Sequence, residues 1–406
     1  MTTFALVGFY VTLGFILVQA ILVGIYVRYL KRSRREASDF QPPVAILLCI
    51  RGKDPSLDDC LKALVSQNYP DYQLIVVGDH EDDPGVVFCR KVAASYPDRI
   101  IVSVNSEILD TCSVKCSNLI HAMTTYESRF EYFVLVDADT VPEKDWLQGM
   151  VQPFQQEDVF VTTGIRWFDV AGSQLGTWIR YIWNTAAIVQ MVCYKIPWGG
   201  SLGIRTSFVR DADVLDEWSR GFCEDTMLQK LAGRAGGKVE VVPDAIIASS
   251  EQTTTSNCIP WISRQLLTAR LHHPKWPFVL SHGLFTTVLT FGTLIMALVA
   301  YFTLHFTAAL WFALSYGVLQ MGNFGLLNWI EAPVKSIKGY SSTFLRNPFV
   351  FLVSILGTQV CYVVAVFKTV VARMVEWRQI HYRIKRRRIE MTGYAPYKQI
   401  DQNKSL

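Results

Sequence analysis

The hydrophobic and polar positions divide the chain into three parts with different patterns. Residues 4–27, FALVGFYVTLGFILVQAILVGIYV, contain no charged side chain. A helix of this length crosses a hydrocarbon core of ~30 Å at ~1.5 Å per residue, so residues 1–30 are predicted to form an N-terminal transmembrane anchor. A cleaved signal peptide is the alternative, but no basic residue precedes the run and no small-residue cleavage site follows it.

The second part, residues 40–258, alternates short apolar runs with helical stretches. Apolar runs without alternation are typical of parallel strands covered on both faces, and they occur at residues 44–50, 72–79, 100–104 and 132–139. Helices are predicted between them at residues 56–67, 85–96 and 113–123, the first and last opening with a serine at the N-cap position. This βαβ series predicts an α/β domain with a Rossmann-like, mostly parallel sheet.

The third part is apolar again, and its segments predict C-terminal transmembrane helices within residues 278–375, at 279–302, about 306–328 and 349–375. An interfacial helix is predicted before them at 259–277, and a basic tail after them at 376–406. If the first helix starts outside, three further full crossings would leave this tail outside, against the tendency of Lys and Arg to stay inside. One segment is therefore miscounted or only half inserted, and the sequence does not choose which.

Composition supports a globular domain fused to membrane segments, since 50% of residues are hydrophobic and the mean hydropathy is +0.23. The net charge of +4 comes mostly from KRSRRE, residues 31–36, and HYRIKRRR, residues 381–388. These clusters are expected to fix topology and contact anionic lipid headgroups, with no nucleic acid as a partner. The domain would then lie in the cytosol, in a multi-pass integral membrane protein. Nine cysteines without CxxC pairs are expected to stay reduced there.

Two carboxylates follow the last predicted strand in YFVLVDADTVPEKDW, residues 132–146. At a strand end the chain turns, so Asp137 and Asp139 can reach one divalent cation such as Mn²⁺ or Mg²⁺, which prefers oxygen ligands and shares them with substrate phosphates. Asp79 ends an earlier strand at the same predicted edge. The alternative is that Asp139 caps a helix starting near Val141.

A second pair of acids and a glycine-rich segment are further candidates. Glu224 and Asp225 begin the amphipathic stretch GFCEDTMLQKLAGRAG, and a carboxylate near a helix N-terminus stays ionised and can accept a proton. Ordinary enrichment of acids in the first helical turn explains them equally well. Before them, Trp198, Gly199 and Gly200 allow close approach of a ligand to the backbone, or form a tight turn.

The segment GKDPSLDDCLKALVSQNYPDYQLIVVGDHEDDPG, residues 52–85, resembles the opening of the ceramide glucosyltransferase group within the family-two-like glycosyltransferases of GT-A fold. VDAD, WGGS, the Glu-Asp pair and WRQIHYRI follow in the family's order, so the resemblance covers nearly the whole chain. It implies an inverting enzyme that moves a hexose from a nucleotide sugar, with UDP as the nucleotide, to the hydroxyl of a membrane lipid such as ceramide.

The resemblance also implies roles for individual residues. Asp137 and Asp139 would hold the metal, and Asp225, beside Glu224, would be the general base. The segment Trp198 to Gly200 would face the acceptor. The remaining donor-site positions by resemblance are Arg51, Gly52, Asp79, Lys115 and Asn118.

One motif departs from the family. A (Q/R)-x-x-R-W sequence is expected after the base, but in SRQLLTARLHHP, residues 263–274, Arg264 fills only the first position and Leu267-Thr268 replaces Arg-Trp. Arg270 or His272 is then expected to supply positive charge near the leaving diphosphate, or this helix lies on the membrane with its arginines on headgroups.

Two other functions remain open at this stage. A processive polysaccharide synthase would use the same chemistry, although loss of Arg-Trp and the small number of spans count against it. A membrane scaffold built on a decayed transferase fold is the second, and the intact acids Asp79, Asp137, Asp139 and Asp225 count against that.

Overall fold

A seven-stranded sheet with the order β3-β2-β1-β4-β6-β5-β7 forms the centre of the α/β domain. The computed structural model describes residues 1–32, 39–170, 172, 174–339 and 347–398. Most of the predicted basic cluster at 31–36 and the last residues of the predicted tail lie outside these ranges. The strands are β1 (Val44–Cys49), β2 (Tyr72–Gly78), β3 (Ile100–Val104), β4 (Tyr132–Val136), β5 (Val159–Phe168), β6 (Ser201–Arg205) and β7 (Lys238–Ser249).

Parallel pairing joins β3, β2, β1 and β4, with Val44 of β1 opposite Tyr72 of β2 and Tyr132 of β4. Only β6 runs against its neighbours β4 and β5, while β5 and β7 are parallel. The prediction of an α/β domain with a mostly parallel sheet is therefore confirmed. The first four strands lie at the predicted positions, with ends that differ by up to three residues.

Both faces of the sheet are buried, which explains why its strands lack hydrophobic alternation. Along β1, Val44, Ile46 and Leu48 point into one core, while Ala45 and Leu47 point into the other. The helices that cover the sheet are α2 (Leu57–Val65), α3 (Pro84–Ala93), α4 (Val114–Tyr126), α5 (Trp146–Val151), α6 (Leu175–Tyr194), α7 (Thr206–Asp211), α8 (Val214–Trp218) and α9 (Leu228–Arg234).

One of the two predicted serine N-caps is present in the structure. The Ser113 hydroxyl accepts from the backbone N–H of Cys116 and caps α4, as predicted, whereas Ser56 makes no side-chain cap at α2. No helix begins near Val141, because the chain stays irregular until Trp146. Asp139 is therefore not a helix cap, and the alternative explanation of the Asp-x-Asp pair is wrong.

Five further helices include the long apolar helices and the helix that connects them to the α/β domain. They are α1 (Thr2–Arg32), α10 (Thr255–His272), α11 (Trp276–Phe302), α12 (Phe306–Lys338) and α13 (Pro348–Val371). By length and composition, three described segments can cross a membrane: Thr2–Lys31, Trp276–Phe302 and Phe349–Val371. Packing adds that α12 returns to the α/β domain, where the Lys338 ammonium donates to the Asp244 carbonyl and pairs with Glu143.

The sequence predicts one membrane crossing too many after the α/β domain, and the position of α13 bears on which segment is miscounted. Gln359 accepts from Thr287 and Tyr362 donates to the Leu280 carbonyl, so α13 lies against the first half of α11. At its end, Thr369 donates to the Ser263 carbonyl of α10. Since α10 also packs on α6 of the domain, α13 stays on the domain side of the bundle. Its apolar length reflects packing against protein as well as membrane.

The segment predicted as a basic tail is instead a folded antiparallel sheet of three strands, β8 (Met374–Trp377), β9 (Ile380–Lys385) and β10 (Arg388–Gly393). Ile380 and Tyr382 alternate with exposed His381 and Arg383, and the buried Tyr382 hydroxyl accepts from the Val114 backbone N–H. The run of basic side chains hides this strand pattern. The tail thus packs on α4 rather than extending away from the domain.

Gly176 marks a close backbone contact between α6 and the residues before α10. A Cβ atom there would overlap the backbone of Thr253 and Thr254, whereas a Cβ at Gly233 in α9 meets nothing within 4 Å. We expect Gly176→Ala to destabilise the fold by about 1–3 kcal/mol through overpacking. Gly233→Ala should be neutral or stabilising by up to about 1 kcal/mol. Thermal unfolding in detergent checks both, and equal unfolding temperatures for the two variants would contradict the packing.

Candidate active site

The loops that follow β1, β2 and β4 meet at the carboxyl edge of the sheet, where ligands bind in open α/β folds. They carry Arg51 and Gly52 after β1, Asp79 after β2, and Asp137 and Asp139 after β4. The predicted residues from these three loops therefore share one edge.

A single buried cation connects the two predicted acid pairs. The Lys115 ammonium, at the start of α4, lies 2.6 Å from an Asp137 oxygen and 2.6 Å from a Glu224 oxygen. Burial alone would favour neutral lysine, but the charges and hydrogen bonds of Asp137 and Glu224 overcome it and raise the pKa of Lys115 well above its ordinary value. Lys115 thus stays charged, and it fixes the segment before α9 against the end of β4.

Asp225 lies next to this cluster in the segment before α9. One carboxylate oxygen accepts from the Gly199 backbone N–H at 2.8 Å, and the other accepts from the Thr226 N–H at 2.5 Å. Burial, reinforced by the neighbouring charge of Glu224, raises the pKa of Asp225 to about 6. A carboxylate with such a pKa is ionised at neutral pH and is a better proton acceptor than an ordinary aspartate.

The paired glycines are explained by crowding rather than by an unusual backbone conformation. A Cβ at Gly199 would overlap the Glu224 carboxylate, and a Cβ at Gly200 would overlap the Trp198 ring and approach Asp137. Absence of side chains at these positions lets the backbone before β6 contact both acid pairs. The segment from Trp198 to Gly200 therefore lies beside both acid pairs, and its role toward the acceptor stays a prediction.

Asp139 pairs with an arginine that the sequence analysis did not single out. Arg166, in β5, donates to Asp139 at 2.9 Å and to the Ser249 hydroxyl at 3.2 Å, with Glu251 at 3.9 Å. Burial opposes the charge on Asp139, but Arg166 and the more distant Arg378 outweigh it and lower the pKa of Asp139. Arg166 lies inside an apolar strand, VFVTTGIRWF, and this unusual charge was the available sequence signal.

The structure separates the two arginines predicted on α10. Burial lowers the pKa of Arg264, and the charges of Arg378, Asp139 and Arg166 make smaller contributions. Arg270 instead donates to the Thr369 carbonyl of α13. This contact ties α10 to α13, and the contact of Arg270 with the donor stays a prediction.

His272 and Asn118 have supporting positions. Burial lowers the pKa of His272 to about 4, so its neutral ring accepts from the Phe222 N–H and holds the segment that carries Glu224. Asn118 is buried and accepts from the side chain of Asn105, which follows β3. This hydrogen bond supports the loop after β3, and the donor-site role of Asn118 stays a prediction.

Arg51, Gly52 and Asp79 are predicted to contact the donor nucleoside. In the structure, Arg51 and Asp79 contact each other and are covered by the C-terminal segment. Arg51 forms a buried ion pair with Asp79, whose Oδ1 has no hydrogen-bond partner among the described residues. Burial raises the pKa of Asp79, and Arg51 partly offsets this. The C-terminal segment after β10 covers both side chains, which sequence reasoning missed.

The side chains at this edge of the sheet include oxygen ligands of the kind that Mn²⁺ and Mg²⁺ prefer. Within the described part of the chain no group of three or more His, Cys, Asp or Glu side chains could hold a metal. Asp137 and Asp139 are nevertheless two oxygen donors on one loop, each balanced by a cationic side chain. Hard cations are often held by one or two carboxylates plus substrate phosphates. The residues fit a metal that arrives with a phosphate-bearing substrate.

A mostly parallel α/β sheet with an Asp-x-Asp loop at its carboxyl edge, joined to apolar helices, is the architecture of membrane-bound glycosyltransferases of GT-A type. The model of glycosyl transferase family 21 matches residues 11–389. The chain belongs to this family, and the predicted resemblance is confirmed.

One curated relative matches over a short segment. A ceramide glucosyltransferase of Komagataella phaffii (strain GS115) is 33% identical over 70 residues, which are 16% of this chain and 14% of the relative. The aligned segment thus spans about a seventh of that relative's length.

Among solved structures, a mannosyltransferase from Pyrobaculum calidifontis, in complex with GDP-Man and Mn²⁺, is 13% identical with a TM-score of 0.48. That similarity covers 90% of this chain and 99% of the other. It is too low to transfer a donor or a metal.

Removal of the buried cation should be costly, since Glu224 is almost fully buried and would lose its partner. We expect Lys115→Met to destabilise the fold by about 3–5 kcal/mol, because unpaired buried charges are strongly unfavourable. Adding Glu224→Gln to that variant should recover part of the loss. Thermal unfolding is the measurement, and Lys62→Met, whose exposed partner is Asp58, is the matched control with little effect. A Lys115→Met variant as stable as the control would contradict this role.

Proposed function

We propose that this protein is an inverting hexosyltransferase that moves a sugar from a nucleotide sugar, with UDP as the nucleotide, to the hydroxyl of a membrane lipid such as ceramide. The observation that carries the proposal is the continuous cluster Asp137, Lys115, Glu224 and Asp225. It combines a carboxylate at the donor end with a carboxylate of raised pKa only one residue beyond Glu224. Membership of glycosyl transferase family 21 supports the reaction class.

Asp225 is proposed as the general base. Its burial keeps the proton affinity high, while the N–H groups of Gly199 and Thr226 hold the carboxylate in place. An acceptor hydroxyl beside Asp225 would lose its proton to the free lone pairs as its oxygen attacks the anomeric carbon. Attack from the side opposite the leaving group inverts that carbon.

Asp137 and Asp139 are proposed to hold Mn²⁺ or Mg²⁺, which would balance the charge of the departing nucleotide diphosphate. In the chain itself, Lys115 and Arg166 already neutralise these carboxylates. Arg166 and Arg264 are proposed to take over the positive charge that the incomplete (Q/R)-x-x-R-W motif lacks, since Arg166 donates to Asp139 and the charge of Asp139 also acts on Arg264.

The connection between the site and the apolar helices supports the proposal of a lipid acceptor and a multi-pass topology. Arg264, near the acids, lies in α10, and only residues 273–275 separate α10 from the apolar helix α11. An acceptor whose hydroxyl lies at headgroup level would therefore meet the site without leaving the membrane. We propose that α1, α11 and α12 cross the bilayer. Helix α12 is not among the three segments selected by length and composition, but its end returns to the domain at Asp244 and Glu143. Helix α13 would then stay on the domain side, which leaves the α/β domain and the C-terminal sheet together in the cytosol.

We expect Asp225→Asn to reduce sugar transfer to lipid by at least about 100-fold, because the amide cannot accept the proton. Binding of UDP should change little, since the donor carboxylates remain. The assay is transfer by purified protein in lipid nanodiscs, with a panel of UDP-sugars and with ceramide and diacylglycerol as acceptors. Asp211→Asn, a surface change at the end of α7, is the control. Transfer unaffected by Asp225→Asn would remove Asp225 as the base, and a polymeric product would indicate a processive synthase.

The pH dependence gives a second test of the same carboxylate. With its pKa raised to about 6, Asp225 is protonated below that pH and cannot act as a base. The transfer rate should therefore fall about tenfold per pH unit below this value and level off above it. Measurements of kcat against pH in nanodiscs check this. A rate that stays constant down to the ordinary pKa of an aspartate would contradict the raised pKa.

Asp139→Asn should weaken UDP binding in Mn²⁺ by at least about tenfold, because one of two oxygen donors loses its charge. Binding in EDTA should not change. Isothermal titration with UDP, with and without Mn²⁺, separates these results from activity, and Asp98→Asn on the surface is the control. Absence of metal-dependent UDP binding in the unchanged protein would reject the transferase and favour a scaffold.

A further inference from the structure

The C-terminal residues Tyr394–Lys398, here called the strap, cover the residues assigned to the donor nucleoside. The guanidinium of Arg51 donates to the Ala395 carbonyl at 2.6 Å, and the Tyr394 hydroxyl donates to the Asp79 carbonyl at 2.8 Å. The Tyr394 ring lies 5.6 Å from the Arg51 guanidinium carbon. The side chains of Arg51 and Asp79 are consequently only 7% and 0% exposed.

The Tyr397 ring lies on the backbone at Gly52. Gly52 has a φ of +75° and no side chain, and a Cβ there would meet the ring carbons of Tyr397. A flat aromatic group therefore occupies the one surface at the end of β1 that lacks a side chain. A planar base has a similar thickness and stacking preference, so a base bound on Gly52 would have to displace this ring.

The turn between β8 and β9 holds the strap in place. The Gln379 side chain donates to the Lys398 carbonyl at 2.8 Å and accepts from the Lys398 N–H at 3.1 Å. Its neighbour Arg378 pairs with Asp54 and accepts from Arg51 through its carbonyl. Both turn residues have positive φ, 47° and 66°, a conformation that favours glycine. Their side chains are used for these contacts, which gives a reason for non-glycine residues there.

We propose that the strap is displaced by the donor, with Tyr397 holding the place of the base on Gly52 until a nucleotide enters. This inference rests on the proposed function, because it takes Arg51, Gly52 and Asp79 as the nucleoside end of the site. The unpartnered Asp79 Oδ1 beneath the strap is an acceptor for a donor group of the base or ribose. Strap opening would expose it together with Arg51. The strap thus sets the donor affinity and keeps water out of the empty site.

The experiment compares UDP binding in Mn²⁺ for the unchanged protein, Tyr397→Ala and Gln379→Ala, in nanodiscs. Both changes release the strap, the first by removing the competing ring and the second by removing its anchor, so each should lower the Kd for UDP by at least about threefold. Lys385→Ala, at the other end of β9, is the matched control with an unchanged Kd. An unchanged or higher Kd in the two strap variants would overturn the proposal, and would indicate a fixed wall of the pocket.

Hydrogen exchange of the peptide that contains the strap gives a readout independent of affinity. Exchange should be slow without nucleotide and faster with UDP and Mn²⁺, in the unchanged protein. If UDP binds but strap exchange stays slow or slows further, the strap proposal fails while the proposed function stands. If UDP binds neither the unchanged protein nor Tyr397→Ala, the strap proposal and the proposed function both fail. If UDP binds only Tyr397→Ala, both proposals are supported.

Discussion

The ammonium group of Lys115 lies 2.6 Å from carboxylate oxygens of both Asp137 and Glu224, so one buried cation joins the end of β4 to the segment before α9. Three charges that would each be costly to bury become acceptable together because they are paired at short distance. Gly199 and Gly200 make this possible, since any side chain there would overlap the acids or Trp198. The position of Asp225 depends on the same arrangement, because its carboxylate accepts from the Gly199 N–H.

The charges at this edge of the sheet are balanced differently around the Asp-x-Asp pair and around Asp225. Asp137 and Asp139 are neutralised within the chain by Lys115 and Arg166. In the proposed reaction, a cation that arrives with a diphosphate would replace these side chains as the charge partner of the two acids. At Asp225, the proposed base, burial and Glu224 raise the pKa. At Asp139, Arg166 outweighs burial and lowers the pKa. The two carboxylates thus have pKa values shifted in opposite directions because different neighbours dominate.

The C-terminal sheet joins the membrane segments to the donor site. Since α13 stays on the domain side and β8 begins three residues after it, the chain is returned to the carboxyl edge of the main sheet. Its turn and strap then contact Arg51, Asp54 and Asp79, more than 300 positions away in sequence. If the strap is displaced as proposed, the same end of the chain sets how open the proposed nucleoside end is. A segment whose composition is typical of a solvated basic tail is instead part of the site.

The sequence by itself determined the parallel sheet, the apolar helices and the acids at strand ends, because each of these has a local pattern. Buried strands without alternation and uncharged helices of membrane length need no knowledge of distant residues. Tertiary structure alone decided that Arg166 pairs with Asp139, that Arg270 ties α10 to α13, and that Tyr397 lies on Gly52. A charged or aromatic side chain finds its partner through contacts between elements far apart along the chain, and the spacing of residues carries no record of that pairing.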